Sequence, residues 1–203
     1  MSRSLTIDDI ADHREYERGR AAFRSQVIAL KADRRVDIGP YVSLVFENRD
    51  TIRFQIQEMA RAERIVTDAG IEHELAVYNP LIPEPGHLSA TLFIQLTNKD
   101  ALVEWLPRLI GIETSIEFEF ATHVVRCDVD PDHASQLTRD DVTASVHYVS
   151  FSFSPDEVEA FATGPVILRT THPNYEYATE LTERTVESLL EDLRPDRESS
   201  SPA

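Results

Sequence analysis

The densest run of polar side chains opens at Glu47-Asn48-Arg49-Asp50 and continues through Gln57, Glu58, Arg61 and Arg64. On a helix, Gln57, Arg61 and Arg64 share one face at i, i+4 and i+7, and Glu58 reaches Arg61 at i+3. A strand-to-helix turn carrying Glu47, Asn48 and Arg49 would gather these groups at one end of a sheet, where ligand sites concentrate. Amide and guanidinium groups at regular intervals suit recognition better than proton transfer. The same spacing also builds an ion-pair ladder on a surface helix, worth roughly 0.2–0.5 kcal/mol per pair.

Histidines stand at 13, 73, 87, 123, 133, 147 and 172. No HExxH is present, nor the paired Glu-x-x-His of di-iron bundles, so no bound metal is expected. In Glu72-His73-Glu74 the neighbours point to different faces of a helix and cannot converge alone. His147 lies on an apolar strand face, where a core histidine is commoner than a ligand. His172-Pro173 precedes Asn174-Tyr175 in turn chemistry. Both histidines, with Asn79, complete the candidate binding set of Glu47, Asn48, Arg49, Gln57, Glu58, Arg61 and Arg64.

Nucleophilic catalysis has no signature: there is no Gly-x-Ser-x-Gly elbow and no GxxxxGK[ST] loop, and six glycines are too few for a glycine-rich cradle. The single cysteine, Cys127, excludes an internal disulfide and a multi-cysteine metal site built by this chain alone. Its apolar setting argues for a buried structural thiol. No cofactor is expected.

The chain has 203 residues, 36 carboxylates and 20 basic side chains, a formal charge of −16. That field disfavours nucleic acid and anionic membranes. The bases are nearly all arginine, and Arg14, Arg18, Arg20, Arg24, Lys31, Arg34 and Arg35 make the one basic region. The N-terminus lacks the apolar core of a signal peptide, and no stretch approaches a membrane span, so the expected location is the cytoplasm.

The elements that must position these residues follow from periodicity and caps. Thr6 reads as an N-cap, and a helix is expected from Glu15 to Leu30. Asp37-Ile38-Gly39-Pro40 reads as a turn, and Tyr41 to Phe46 as a strand. Asp50 can cap a helix running to about Ala69 with Ile52, Ile56, Met59 and Val66 as its buried stripe and Gly70 as its stop. A shorter helix covers Ile71 to Val77. The loop from Asn79 to Gly86 is apolar and stiffened by proline. Strands are expected over 87–96, 115–120, 123–129, 145–153, 166–171 and 175–178, the third beginning at His123 and pairing with the second in a hairpin. Helices are expected over 100–110, from the Ser154-Pro155-Asp156-Glu157 capping box, and from Thr182 to Leu193. An acidic, irregular stretch spans 130–141. The expected fold class is α+β: N-terminal helices packed on a mostly antiparallel sheet, with helices between strands. A single domain over 1–193 would precede a disordered tail over 194–203.

Val27-Ile28-Ala29-Leu30-Lys31, Phe46-Glu47-Asn48-Arg49-Asp50-Thr51, Gln55-Ile56-Gln57-Glu58-Met59, Arg61-Ala62-Glu63-Arg64-Ile65 and Tyr78-Asn79-Pro80-Leu81-Ile82-Pro83 together resemble the bacterial family named domain of unknown function 3501. Ser145-Val146-His147-Tyr148 and His172-Pro173 with Tyr175 fit the same pattern. The family has no assigned activity, so no catalytic residue is carried over. Its genes tend to stand beside those for a rubrerythrin-like protein and an iron–sulfur oxidoreductase subunit. The resemblance therefore implies an uncharacterised, non-catalytic accessory protein in a redox or oxidative-stress system, with one of those proteins as partner. The segment from Glu47 to Arg64 and the loop from Asn79 to Gly86 would form its docking surface. The alternative is a small-molecule-binding protein or enzyme whose polar site gathers Glu58, Arg61, His147 and His172.

Overall fold

The computed structural model of the chain describes residues 3–129 and 142–194. Its strands are β1 (Arg35–Ile38), β2 (Val42–Glu47), β3 (His87–Ile94), β4 (Ile116–Phe120), β5 (His123–Asp128), β6 (Val146–Ser152), β7 (Val166–His172) and β8 (Tyr175–Glu180). They join in one sheet of order β1-β2-β3-β6-β5-β4-β7-β8, every neighbouring pair antiparallel.

Three phenylalanines show that this sheet curls on itself. Phe46 on β2 and Phe118 on β4 are well separated in strand order, yet their ring centroids lie 5.7 Å apart. Phe151 on β6 meets Phe118 at 4.8 Å. All three are fully buried. An eight-stranded barrel has an interior just wide enough for side chains to fill, and here they fill it. The interior is therefore a core and leaves no lumen.

The two sheet edges, β1 and β8, close the barrel without a ladder. The Tyr175 hydroxyl donates to the Ile38 carbonyl at 2.7 Å and accepts from the Tyr41 and Val42 amides at 2.8 and 3.1 Å. The Thr179 hydroxyl donates to the Asp37 carbonyl at 2.6 Å. Gly39 sits beside this seam at φ +69°, where a Cβ would lie 2.5 Å from the Tyr177 ring, so only glycine fits the turn.

The helices are α1 (His13–Arg34), α2 (Arg49–Glu63), α3 (Asp68–Tyr78), α4 (Lys99–Arg108), α5 (Pro155–Phe161) and α6 (Glu183–Leu193). Phe161 of α5 and Leu189 and Leu193 of α6 close one barrel end against Phe120 and Phe153. Trp105 of α4 packs against Tyr41 and Tyr175 at the other. Helices α1, α2 and α3 form a cap over the outside of β2, with a second small core of Leu5, Ile52, Ile56, Leu75 and Ile82.

The α+β class holds, but the expected arrangement of helices on a sheet is corrected to a nearly closed barrel with capped ends. The reason is visible in β2, which is buried at all six positions: one face looks into the barrel and the other lies under the cap. Such a strand has no alternation from which to infer curvature.

Several boundaries also move. Asp12, not Thr6, caps α1, its carboxylate accepting from the Arg14 and Glu15 amides. Thr6 caps a single 3-10 turn at Ile7–Asp9. Asn48 caps α2, which stops at Arg64 in the left-handed conformation, while Gly70 lies within α3. Val66, expected in a buried stripe, is consequently 77% exposed in the turn between them. The expected turn at Asp37-Ile38 is the end of β1. The capping box at Ser154 and the cap at Thr182 form as expected. The expectations for 130–141 and for the tail beyond Arg194 lie outside the described residues.

Candidate functional site

The polar residues singled out on α2 meet α1 at the helix crossing. Tyr16 and Arg20 are one turn apart on α1, and both face Glu58. The Tyr16 hydroxyl donates to Glu58 Oε1 at 2.6 Å, and Arg20 binds both carboxylate oxygens at 2.7 Å through Nε and Nη2. One turn further along α2, Arg61 pairs with Glu17. The Arg20 guanidinium is the main influence on Glu58, holding its carboxyl at about 2 against an ordinary 4.5. Burial and the Glu58 charge push the Tyr16 phenol well above its usual value.

Two further candidates hold the N-terminal segment down. The Gln57 amide exchanges two hydrogen bonds with the Ala11 backbone, at 3.0 and 3.2 Å. The Asn79 amide does the same with Leu5, at 2.9 Å in each direction. Arg49 reaches Asp9 in the same segment. Asn48 accepts from the Asp50 and Thr51 amides, ending the backbone donors of α2. Arg64 is exposed at the α2 C-terminus.

The other candidates lie elsewhere. Glu47 is buried under the cap and accepts from the Thr91 hydroxyl at 2.7 Å. His147 and His172 are buried at the α4 end of the barrel. Because the Ala144 carbonyl can only accept, His147 Nε2 carries the proton in their 2.9 Å contact, and burial lowers the pKa of this ring. His172 Nε2 donates to the Ile110 carbonyl at 3.0 Å and its Nδ1 accepts from the Asn174 amide at 3.2 Å. The structure thus brings Gln57, Glu58 and Arg61 together, joins Arg49 and Asn79 to them through the N-terminal segment, and separates Glu47, His147 and His172 from them. Cys127 is buried, donates to the Glu113 carbonyl, and has its thiol pushed up to about 11 by burial. Among the described residues no three His, Cys, Asp or Glu side chains are placed to hold a metal ion. No helix among them is long and apolar enough to cross a membrane.

The loop offered as a docking element is used internally. Ile82 is buried in the second core, and Leu81 packs against it. Sequence reasoning also missed a buried ion pair. Arg34, with no exposed surface, donates to the Phe46, Glu47 and Ser188 carbonyls and pairs with Asp192. The signal available was weak: an arginine at the α1 C-terminus looks like any cation complementing a helix end. The Tyr16 and Arg20 pair at i, i+4 was a better clue to an opposing carboxylate.

A filled antiparallel barrel, bearing a helical cap held by amide and ion-pair bonds to its own N-terminal segment, defines the class of this protein. The chain belongs to the family described as "Protein of unknown function (DUF3501)", whose pattern matches residues 4–193. It is similar to a protein of unknown function from Burkholderia pseudomallei K96243 known from a crystal structure. That likeness has 33% identity and a TM-score of 0.86, and covers 94% of this chain and 99% of the other. No curated protein matches the chain.

Proposed function

We propose that this protein is a non-catalytic accessory protein that docks a redox partner through its helical cap. The partner is an iron–sulfur oxidoreductase subunit or a rubrerythrin-like protein, as the family's gene setting suggests. The Glu58 clasp is the observation that carries the non-catalytic part. The carboxylate at the centre of the α2 polar run, Glu58, is tied to Arg20 and Tyr16 and held at about 2, a poor general base at neutral pH. The alternative small-molecule site asks Glu58 and Arg61 to act with His147 and His172, which lie in the barrel while the first two lie in the cap. Docking through the cap has support in its surface: Ile28 on α1, Val66 between α2 and α3, and Val77 on α3 are all large exposed apolar side chains.

The test is affinity capture of the tagged full-length chain from its native host at low salt. Recovery of an identified iron–sulfur or rubrerythrin-like protein is expected, weakened by high salt if rim charges steer the encounter. Val66→Asp should weaken capture without changing the melting temperature. Repeated capture without any redox protein, or equal capture by Val66→Asp, refutes docking through the cap.

A further inference from the structure

The barrel interior is filled, but the cap is not. Between the N-terminal segment, the second half of α2 and the turn into α3 lies a cavity of about 380 Å³. That volume falls within the range of small-molecule sites, roughly 300–1,000 Å³. Ile7, Ile10, Ile65 and Ile71 provide its apolar wall, and Arg14 of α1 and Arg61 of α2 stand at its polar side. An unfilled apolar space forgoes the packing contacts that the barrel core makes in full.

The cavity walls are fixed in advance. Gln57 ties Ala11 in place on one side, and the Glu58 clasp fixes the α1–α2 crossing behind it. The charges are unequal in availability. The Asp12 carboxylate is engaged by the first amides of α1 and lies in the field of Arg14 and Arg18, but the Arg14 guanidinium makes no close ion pair with another described residue. Arg61 uses Nε toward Glu17, which leaves the rest of its guanidinium fork for a second acceptor. Asp68, at the start of α3, is the one opposing carboxylate among the lining residues without such engagement.

We propose that this cavity binds a small organic anion: an apolar body seated on the four isoleucines, with a carboxylate-like head received by Arg14 and Arg61. The cavity shares Val66 at its rim with the exposed surface proposed for docking, but its isoleucine wall and its arginines do not belong to that surface, so anion binding stands whether or not a redox partner is found. It also differs from a polar site built on His147 and His172, neither of which lines it.

The test uses the full chain with two fluorescent probes sharing an aromatic body. 1-Anilinonaphthalene-8-sulfonate carries an anionic head, and N-phenyl-1-naphthylamine lacks it. Titration at neutral pH is paired with spectra of protein labelled at the isoleucine methyl groups. Saturable binding of the anionic probe should move the methyl signals of Ile7, Ile10, Ile65 and Ile71 and leave that of exposed Ile28 in place. The neutral probe should bind about tenfold more weakly, and Arg14→Glu should weaken the anionic probe by a similar factor while sparing the neutral one. Arg14 is exposed, so the fold should survive, and an unchanged Ile38 methyl signal reports that it has. Absence of saturation, movement of other methyl signals instead, equal affinity for the two probes, or no effect of Arg14→Glu overturns the proposal.

Discussion

Arg20 grips both carboxylate oxygens of Glu58 across the α1–α2 crossing, and the Tyr16 hydroxyl closes on the same carboxylate from the next turn. Helices α1 and α2 are thereby held at one angle by groups whose spacing on each helix is fixed. Because Gln57 and Arg61 flank Glu58 on α2, the clasp also sets one wall of the cap cavity.

This arrangement predicts an acid-labile increment of stability. The carboxyl of Glu58 is depressed in the folded chain, so its stabilising effect is complete above about 4.5 and lost as pH falls from there toward about 2. With allowance for solvent screening, about 2 kcal/mol is at stake. Glu58→Gln should lower stability at neutral pH by that order and flatten the pH dependence in that window. Urea unfolding of both proteins at several pH values measures it, and parallel curves would count against the clasp.

Arg34→Ala should be far more damaging than its place at a helix end suggests. It leaves Asp192 without its cation and three carbonyl groups without their donor. Removing one member of a buried pair costs about 3–5 kcal/mol. Equilibrium unfolding should register a loss of that size, whereas Arg24→Ala, at an exposed position on the same helix, should be nearly silent.

Tyr175→Phe tests the barrel seam. The substitution keeps the ring and removes the hydroxyl that serves Ile38, Tyr41 and Val42. Leaving buried backbone groups unserved costs about 1–3 kcal/mol. Amide exchange at Tyr41 and Val42 should accelerate more than at Ala90 in the central strand β3. Uniform acceleration would mean that the seam is not a separately opening unit.

Cys127 should resist thiol reagents in the folded protein at mildly alkaline pH and react once denatured. Its thiol is buried and needs about pH 11 to ionise. Fast modification of native protein would contradict this placement.

What could be read from the sequence is what depends on neighbours in the chain. The capping box at Ser154 and the cap at Thr182 use residues three apart, and both helices start where expected. The β4–β5 hairpin is equally local. Closure of the barrel was not legible, because Phe46 and Phe118 meet through a curvature that no short pattern encodes. The polar run on α2 is visible in the sequence, but the partners of such groups lie far away: Arg20 is 38 residues from Glu58, and Asn79 is 74 from Leu5. A spacing rule finds such groups and cannot tell whether they face a ligand or another segment of the same chain. The buried Arg34–Asp192 pair spans 158 residues and had no local trace.

The hydroxyl-bridged seam has one more consequence. A sheet that ends in two bare edges offers templates on which another chain can add a strand and start a fibre. Here the carbonyl groups of Asp37 and Ile38 on β1 are occupied by Thr179 and Tyr175 of β8, so each edge shields the other within one molecule. Loss of those two hydroxyls would expose both edges together, and resistance to aggregation would fail before the fold did.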